Sequence, residues 1–223
     1  MRLHRDCIKK LYPVGESCCM KCGRPLDRGT DEYCQGCRGR AGGAGGTMPL
    51  RVANEQPAQG KALFLYQGAI KETMYRFKYS NKREYADFFA EYALQRYGEW
   101  IKKKGIEVIV PVPMYHRKKQ LRGYNQAESF AKALAQLTGL PVETGLVERV
   151  KDTAPQKELS DAQRKKNLEN AFQPKKSIVQ YKRILVVDDI YTTGSTAYAV
   201  AKALNKDKAC EVYLLNICIA GGM

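Results

Sequence analysis

The sequence predicts an α/β domain built on a mainly parallel sheet, preceded by a small cysteine-rich module. From residue 62 onwards, short apolar runs alternate with longer segments of helical periodicity, which is typical of strands and helices in turn. An acidic, hydroxyl-rich loop follows the most apolar of these runs. Six of the eight cysteines lie within the first 37 residues, and this clustering separates the module from the rest. A chain of 223 residues has room for both parts.

Each predicted element has a local reason. Residues 62–66 form a short apolar run, and the next two segments carry apolar and aromatic residues at helical spacing. The continuous apolar run at 107–111 is typical of a buried parallel strand. An Ala-rich helix follows and ends before Gly139 and Pro141. In chain order we expect strand 62–66, helices 71–79 and 83–103, strand 107–111, helices 125–137 and 160–168, strand 183–187, helix 195–204 and strand 211–219.

Charge and hydropathy narrow the class of protein. Lys and Arg number 38 against 23 Asp and Glu, so the formal net charge is +15. A surplus of this size attracts polyanions such as nucleic acid, nucleotide phosphates or anionic lipid. No apolar run approaches the roughly 18 residues of a membrane-spanning helix. The amino terminus also lacks the apolar stretch of a secretory signal. We therefore expect a soluble, cytoplasmic protein without a membrane span.

The amino-terminal cysteines predict a metal site. Cys19 and Cys22 form one C-x-x-C pair, and Cys34 and Cys37 form a second. Tetrahedral zinc takes four thiolates, and each pair delivers two of them from a tight turn. Because four ligands leave no open coordination position, we expect a structural Zn²⁺. Disulfides are the alternative, disfavoured by the missing secretory signal. Cys18 can replace Cys19 as a ligand, and the sequence leaves that choice open.

A Gly/Ala-rich stretch at residues 41–50 marks the predicted domain boundary. It separates the four-Cys zinc-binding module at residues 1–40 from the α/β domain at residues 51–223. Its composition is compatible with a natural linker and also with an engineered junction.

One loop carries most of the functional information. Asp188 and Asp189 follow strand 183–187, and small turn residues then lead into a helix. A phosphate at a helix amino terminus gains backbone N–H donors and the favourable end of the helix dipole. Carboxylates accept hydrogen bonds from a ribose diol and are ligands that Mg²⁺ prefers. A sugar phosphate therefore fits, whereas simple helix capping is the structural alternative. The residues that would surround the 5′-phosphate are Thr192, Thr193, Gly194, Ser195 and Thr196.

Two motifs resemble known families. The stretch VVDDIYTTGST resembles the phosphoribosyl-pyrophosphate (PRPP) motif of type I phosphoribosyltransferases. The stretch VPMYHRKKQLRGYNQA, together with the later TAPQ, resembles the ComF family of competence proteins, which also carry a four-Cys module before such a domain. The resemblance implies a type I phosphoribosyltransferase-like fold in which Asp188 and Asp189 hold the ribose, directly or through Mg²⁺. It also implies a role in natural transformation (DNA uptake), handling single-stranded DNA beside a competence helicase.

The same resemblance implies where pyrophosphate would bind. The loop after strand 107–111 takes the place of the pyrophosphate loop, and residues 151–167 resemble the mobile loop that closes over PRPP. Asn125 is better explained as a helix cap than as a ligand contact. The sequence identifies neither a catalytic residue nor a residue that selects an acceptor base. The pyrophosphate-binding candidates are Pro113, Met114, Tyr115, Arg122, Gln156 and Arg164.

Binding of single-stranded DNA requires a cationic groove with aromatic stacking faces. Residues 74–85 interleave both kinds of side chain. Our leading hypothesis is a competence protein that binds PRPP with Mg²⁺ and single-stranded DNA. The alternatives are an active phosphoribosyltransferase with an unidentified nitrogenous acceptor, and a zinc module that docks a competence helicase. The nucleic-acid candidates are Arg76, Lys78, Lys82, Arg83, Arg117, Lys118 and Lys119.

Overall fold

A parallel sheet forms the centre of the protein. The computed structural model describes residues 8–15, 50–51, 57–58, 60–152, 171–175, 181–192, 194–205 and 210–220. The strands are β1 (Leu50–Arg51), β2 (Pro57–Ala58), β3 (Gly60–Leu65), β4 (Val108–Pro111), β5 (Val147–Arg149), β6 (Phe172–Pro174), β7 (Arg183–Tyr191) and β8 (Glu211–Ile219). The helices are α1 (Ala69–Tyr79), α2 (Tyr85–Lys103), α3 (His116–Arg122), α4 (Gln126–Thr138) and α5 (Ser195–Leu204). The central sheet has the order β3-β8-β7-β4 with every neighbouring pair parallel, which confirms the predicted fold class.

The core lies on both faces of this sheet. Successive residues of β7 point to opposite faces, so Leu185 belongs to the cluster that includes Phe77 of α1 and Phe130 of α4. Val186 belongs to a second cluster, with Val200 of α5 and residues of the β5–β6 hairpin. Because both faces are covered, the strands consist of continuous apolar runs rather than alternating patterns.

Most predicted elements are confirmed, and one strand is longer than expected. Helix α5 and strand β8 have the predicted bounds, while the predicted elements from β3 to α4 begin and end within two residues of prediction. Strand β7 continues to Tyr191, which pairs with Ile219, so the two aspartates lie inside the strand rather than beyond its end. Hydrogen bonding to the long partner strand β8 explains the extension. The short helix α3 and the β5–β6 hairpin were not predicted, and the predicted helix 160–168 lies outside the described residues.

The amino-terminal segment covers the outer edge of the sheet. The backbone N–H of Val14 donates to the carbonyl of Leu63 over 2.9 Å, and the N–H of Leu65 donates to the carbonyl of Tyr12 over 2.8 Å. Leu11 and Val14 are buried. The segment thereby pairs an edge strand that would otherwise expose its backbone. The predicted boundaries of the cysteine-rich module and the linker stay predictions.

None of the helices within the described ranges combines the length and the hydropathy needed to span a bilayer.

Candidate functional site

The two aspartates lie near the carboxyl end of β7, which is flanked by β4 and β8. Asp188 pairs in register with Asn216 of β8. The backbone N–H of Asp189 donates to Asp188 Oδ1 over 2.8 Å, which holds the Asp188 side chain beside the backbone. Ligands of open α/β sheets collect at this end of the strands. Asp188 and Asp189 are called the acid pair below.

Lys78 of α1 supplies a positive charge to the acid pair. Its Nζ lies 2.7 Å from Asp189 Oδ2, and the two side chains are 20% and 19% exposed. Burial lowers the pKa of Lys78, but attraction to Asp189, a hydrogen bond to it and attraction to Asp188 together raise that pKa overall. Because Met74 and Phe77 are fully buried, α1 is packed firmly enough to hold this ammonium in place.

Asp188 carries an unfavourable charge. Burial, followed by repulsion from Asp189, raises the pKa of Asp188 to about 7. The Asp189 N–H, Lys78 and Arg149 act in the opposite direction. Arg149 ends β5, and burial lowers its pKa although Asp188 attracts it. The acid pair therefore lies between an ammonium on one side of the sheet and a guanidinium on the other.

A tight bend leads from the acid pair into α5. Gly194 has φ +83°, and a Cβ at this position would overlap the hydroxyl of Tyr191, so the position favours glycine. Gly194 also occupies the cap position of α5 and has no side chain with which to cap it. The first N–H groups of a helix have no acceptor within the helix, so an anion bound here would gain donors and the helix dipole. Ser195 and Thr196 open the helix, and Thr192 is exposed before the bend.

The loop after β4 borders the same end of the sheet. Val112 continues the pairing beyond β4, because its N–H donates to the carbonyl of Val187 over 2.9 Å. The half-buried residues Pro113, Met114 and Tyr115 then lead into α3. This short basic helix has no buried residue and lies at the surface. The structure thus brings the predicted pyrophosphate loop next to the strand that carries the acid pair.

The segment that follows α3 is hydrogen-bonded to α1. The Nη1 atom of Arg122 donates to Gln126 Oε1 over 2.7 Å. Gln126 is 1% exposed, and its Nε2 donates to the carbonyl of Phe77 over 3.4 Å. The hydroxyl of Tyr124 donates to the same carbonyl. The bonds from Gln126 and Tyr124 satisfy the Phe77 carbonyl near the carboxyl end of α1. Arg122 is close enough to Lys78 for its positive charge to lower the pKa of that lysine.

Asn125 acts as a helix cap, as predicted. Its Oδ1 accepts the N–H of Ala127 over 3.1 Å at the start of α4. Its Nδ2 donates to the carbonyl of Val112 over 2.9 Å, which also ties α4 to the loop after β4. Both polar ends of the buried Asn125 side chain are therefore used within the protein.

The predicted basic residues are not equivalent. Lys78 faces the acid pair, while the exposed Arg117 belongs to α3. The others have partners: Arg76 with Glu72 at 2.9 Å, Lys82 with Glu84 at 3.4 Å, Lys118 with Asp152 at 3.1 Å and Lys119 with Glu128 at 2.8 Å, while the Arg83 guanidinium lies 4.7 Å from the ring centre of Tyr124.

Several predicted ligands lie outside the described residues. They are Gln156, Arg164, Thr193 and the four cysteines Cys19, Cys22, Cys34 and Cys37, and all of them stay predictions.

Two described residues near the acid pair were not predicted, Arg149 and Asn216. Asn216 is 2% exposed, and within the described ranges its Nδ2 has no hydrogen-bond partner. The sequence does contain a signal for Asn216, because it is a polar residue inside the otherwise apolar strand YLLNICI. Burying an amide costs free energy unless it is hydrogen-bonded, so such a residue indicates a specific role. Arg149 gave no comparable signal, since it is one of many basic residues in the chain.

The arrangement is suited to a ligand with a diol and phosphate groups. The acid pair offers acceptors for hydroxyl groups, the start of α5 offers donors for an anion, and α3 offers positive charge. Asp188 Oδ2 and Asp189 Oδ1 accept no hydrogen bond from the described residues, so hard oxygen ligands for Mg²⁺ are present. Within the described ranges no group of three or more His, Cys, Asp or Glu side chains forms a metal site. A Mg²⁺ ion at the acid pair would therefore also need oxygens from its ligand and from water.

Comparison with known proteins gives consistent matches. The model of the phosphoribosyl transferase domain matches residues 124–219. The chain is 42% identical over 102 residues to competence protein F of Haemophilus influenzae, covering 45% of this chain and 44% of that protein, less than half of its length. It is 31% identical over 156 residues to the DNA utilization protein YhgH of Salmonella typhimurium, covering 69% and 68%. It is also 26% identical over 209 residues to competence protein ComFC of Bacillus subtilis, covering 93% and 80%.

Proposed function

Because this chain belongs to the ComF family of competence and DNA utilization proteins, we propose that it acts in DNA uptake and binds PRPP with Mg²⁺ at the acid pair. The observation that carries the PRPP assignment is the acid pair itself. The two carboxylates lie on β7, which is followed by a bend and by α5, whose cap position is a glycine. The loop after β4 lies beside this strand–bend–helix unit. PRPP presents a ribose diol between a 5′-phosphate and a pyrophosphate, which matches this order of groups.

Each part of the site then has a role. Asp188 and Asp189 accept hydrogen bonds from the ribose hydroxyls, directly or through Mg²⁺. The amide groups of the bend and the start of α5 hold the 5′-phosphate. The loop at residues 113–115, with Arg122, faces the pyrophosphate. Mg²⁺ neutralises pyrophosphate charge when it is bound, and the open carboxylate oxygens of the acid pair would hold it.

Lys78 partly neutralises the negative charge of the acid pair to which this ligand would bind. Because its ammonium already neutralises Asp189, a ribose diol can bind at that carboxylate without an additional cation there. Burial and repulsion from Asp189 leave the charge on Asp188 unfavourable despite attraction from Lys78 and Arg149, so this charge is the one left for the ligand to stabilise.

Calorimetry of the full chain with PRPP tests this assignment, with and without Mg²⁺. We expect binding in Mg²⁺ and a loss of roughly 10- to 100-fold in affinity for Asp189→Asn, because hydrogen bonds to charged groups contribute about 1.5–3 kcal/mol. The matched control is Glu99→Gln, which converts an exposed carboxylate on α2 to an amide and should bind as the unaltered chain does. The assignment fails if the unaltered chain binds no PRPP, or if Asp189→Asn binds as tightly as the control.

Turnover is the alternative to binding alone. Pyrophosphate release from PRPP across a panel of nitrogenous bases, lost in Asp189→Asn, would make the protein a phosphoribosyltransferase. Tight PRPP binding without pyrophosphate release would make the site a ligand sensor or scaffold. His116 is exposed on α3 and makes a ring contact with Tyr115 at 4.3 Å between centroids, which gives it no distinct position as a base.

Single-stranded DNA would bind mainly through phosphate charge. The net charge of +15 and the basic helix α3 support this part of the proposal. The logarithm of the binding constant should fall with the logarithm of salt concentration, with a slope of about −0.7 for each phosphate contact. An affinity that stays constant between low and high salt would contradict it.

A structural Zn²⁺ bound by the amino-terminal cysteines completes the proposal. Metal analysis of the purified full chain should find one zinc per chain, lost in Cys22→Ser. Comparing Cys18→Ala with Cys19→Ala would identify which neighbour is the ligand, because only one of them should release the metal. A chain without bound zinc after purification under reducing conditions would refute the site.

A further inference from the structure

Two exposed tyrosine rings, tilted by 45° to one another, and a guanidinium lie in a row on the surface formed by α1 and the end of α3. Tyr75 and Tyr79 are 59% and 63% exposed, and their ring centres lie 5.0 Å apart on α1. The guanidinium carbon of Arg122 lies 4.9 Å from the ring centre of Tyr79. Tyr75, Tyr79 and Arg122 are called the stacking ladder below. Single exposed aromatic residues are ordinary, but an ordered row of three flat groups is a surface with a defined geometry.

The ladder is held in place from beneath. Met74 and Phe77 anchor the opposite side of α1 in the core with no exposed surface. Arg122 is held by its hydrogen bond to the buried Gln126. The rings are therefore presented on a rigid helix, and a planar ligand would meet them without ordering a loop first.

The ladder lies at the border of the acid pair. Lys78 is the residue immediately before Tyr79, and its ammonium contacts Asp189. Arg122 is close enough to Lys78 for the two positive charges to repel each other. A base stacked on Tyr79 would consequently lie next to a site that is suited to a ribose and its phosphates.

The surroundings of the ladder favour a polyanion. Residues 69–84 and 116–122 together carry nine basic and two acidic side chains, and three of the basic ones pair with acids outside these ranges, which leaves a surplus of positive charge. Flat, exposed rings within a basic surface are the features with which proteins bind single strands without sequence preference, because every base has a face to stack. A duplex would offer phosphates but would keep its bases inside.

We propose that the stacking ladder binds the unpaired bases of a single-stranded nucleic acid. This rests on the DNA-binding part of the proposed function and adds the place and the kind of contact. Stacking on the ladder would make affinity depend on the bases as well as on the phosphates.

Fluorescence anisotropy with the full chain and two labelled oligonucleotides tests the ladder. One oligonucleotide is oligothymidine, and the other has the same phosphates with abasic sites throughout. The unaltered chain should bind oligothymidine roughly 10-fold or more tightly than the abasic strand, given the usual contribution of stacked bases. Tyr75→Ala/Tyr79→Ala should bind oligothymidine only as tightly as the unaltered chain binds the abasic strand, and its affinity for the abasic strand should not change. Tyr75→Phe/Tyr79→Phe keeps the rings and should retain the preference.

Salt dependence separates stacking from charge. The double alanine variant should keep the salt slope of the unaltered chain, because it removes no charge. The matched charge variant Arg117→Gln, on the exposed α3, should instead reduce the slope and preserve the preference for bases. The ladder is refuted if the unaltered chain binds both strands equally, or if Tyr75→Ala/Tyr79→Ala retains the preference. An unaltered chain that binds neither strand would refute the proposed DNA binding itself.

Discussion

Replacing Asp188 by asparagine should stabilise the protein at high pH. The pKa of Asp188 rises to about 7 from the ordinary value of 3.8, because its carboxylate is buried and repelled by Asp189. The folded chain thus holds this proton more tightly than the unfolded chain. Ionisation costs nothing extra below about pH 4, where both states are protonated, and its full cost is present above about pH 7. Stability therefore falls as pH rises between these two values, and Asp188→Asn lacks that loss.

The size of the effect follows from the difference between the two pKa values. A difference of about three corresponds to about 4 kcal/mol at roughly 1.36 kcal/mol for each. Attraction from Lys78 and Arg149 is already contained in the pKa of about 7, so it needs no further correction. We expect Asp188→Asn to exceed the unaltered chain in unfolding free energy by up to about 4 kcal/mol at about pH 8, and by little at about pH 4.

Urea unfolding of the full chain between about pH 4 and pH 8 measures this difference. The control is Glu99→Gln, which removes an exposed carboxylate and should follow the unaltered chain at every pH. The expected result is a gap between Asp188→Asn and the unaltered chain that widens as pH rises. A gap that stays constant, or an Asp188→Asn variant that is less stable at high pH, would refute the electrostatic reasoning.

Three further substitutions probe the neighbouring geometry. Lys78→Met should lower the unfolding free energy, measured in urea, by about 1–3 kcal/mol, because it leaves a partly buried carboxylate without its cation. Lys78→Arg should retain most of that stability. A Lys78→Met variant as stable as the unaltered chain would contradict the pairing of Lys78 with Asp189. Gly194→Ala should weaken PRPP binding at least roughly 10-fold in calorimetry, because a φ of +83° and the overlap of a Cβ with Tyr191 displace the bend. An unchanged affinity would show that the bend does not contribute to PRPP binding. Asn125→Ala should lower the unfolding free energy by about 1–3 kcal/mol, since it removes a cap and leaves a loop carbonyl unsatisfied, and a loss below about 0.5 kcal/mol would contradict both roles.

The sheet was predictable because its strands are buried on both faces. Continuous apolar runs such as RILVV are typical of buried strands at this length when polar and turn residues bound them. Helix α5 was equally clear, since Gly194 marks its start and its apolar residues recur at helical spacing. The role of Asn125 was also predictable, because a cap is a contact between residues close in the chain.

Contacts between distant residues were not predictable. In the sequence Lys78 is one more cation in a basic stretch, and only the packing of α1 against the sheet brings it to Asp189. The same holds for Gln126 and Tyr124, whose side chains both donate to a carbonyl of α1. The extension of β7 to Tyr191 was missed because its reason is a partner strand rather than a local pattern.

The electrostatics of the acid pair favour the proposed ligand-binding role over a purely structural one. In a purely structural acid pair, neighbouring cations would balance both carboxylates, yet the charge on Asp188 remains unfavourable although both Lys78 and Arg149 attract it. The buried amide of Asn216 stands opposite Asp188 and has no hydrogen-bond partner for its Nδ2 among the described residues, which adds a second local cost. Costs of this kind persist at sites where a bound group offsets them. A ligand that donates hydrogen bonds to Asp188 would lower the pKa of Asp188 on binding. Binding of PRPP near pH 7 should therefore release protons, whereas an acid pair with a purely structural role would release none.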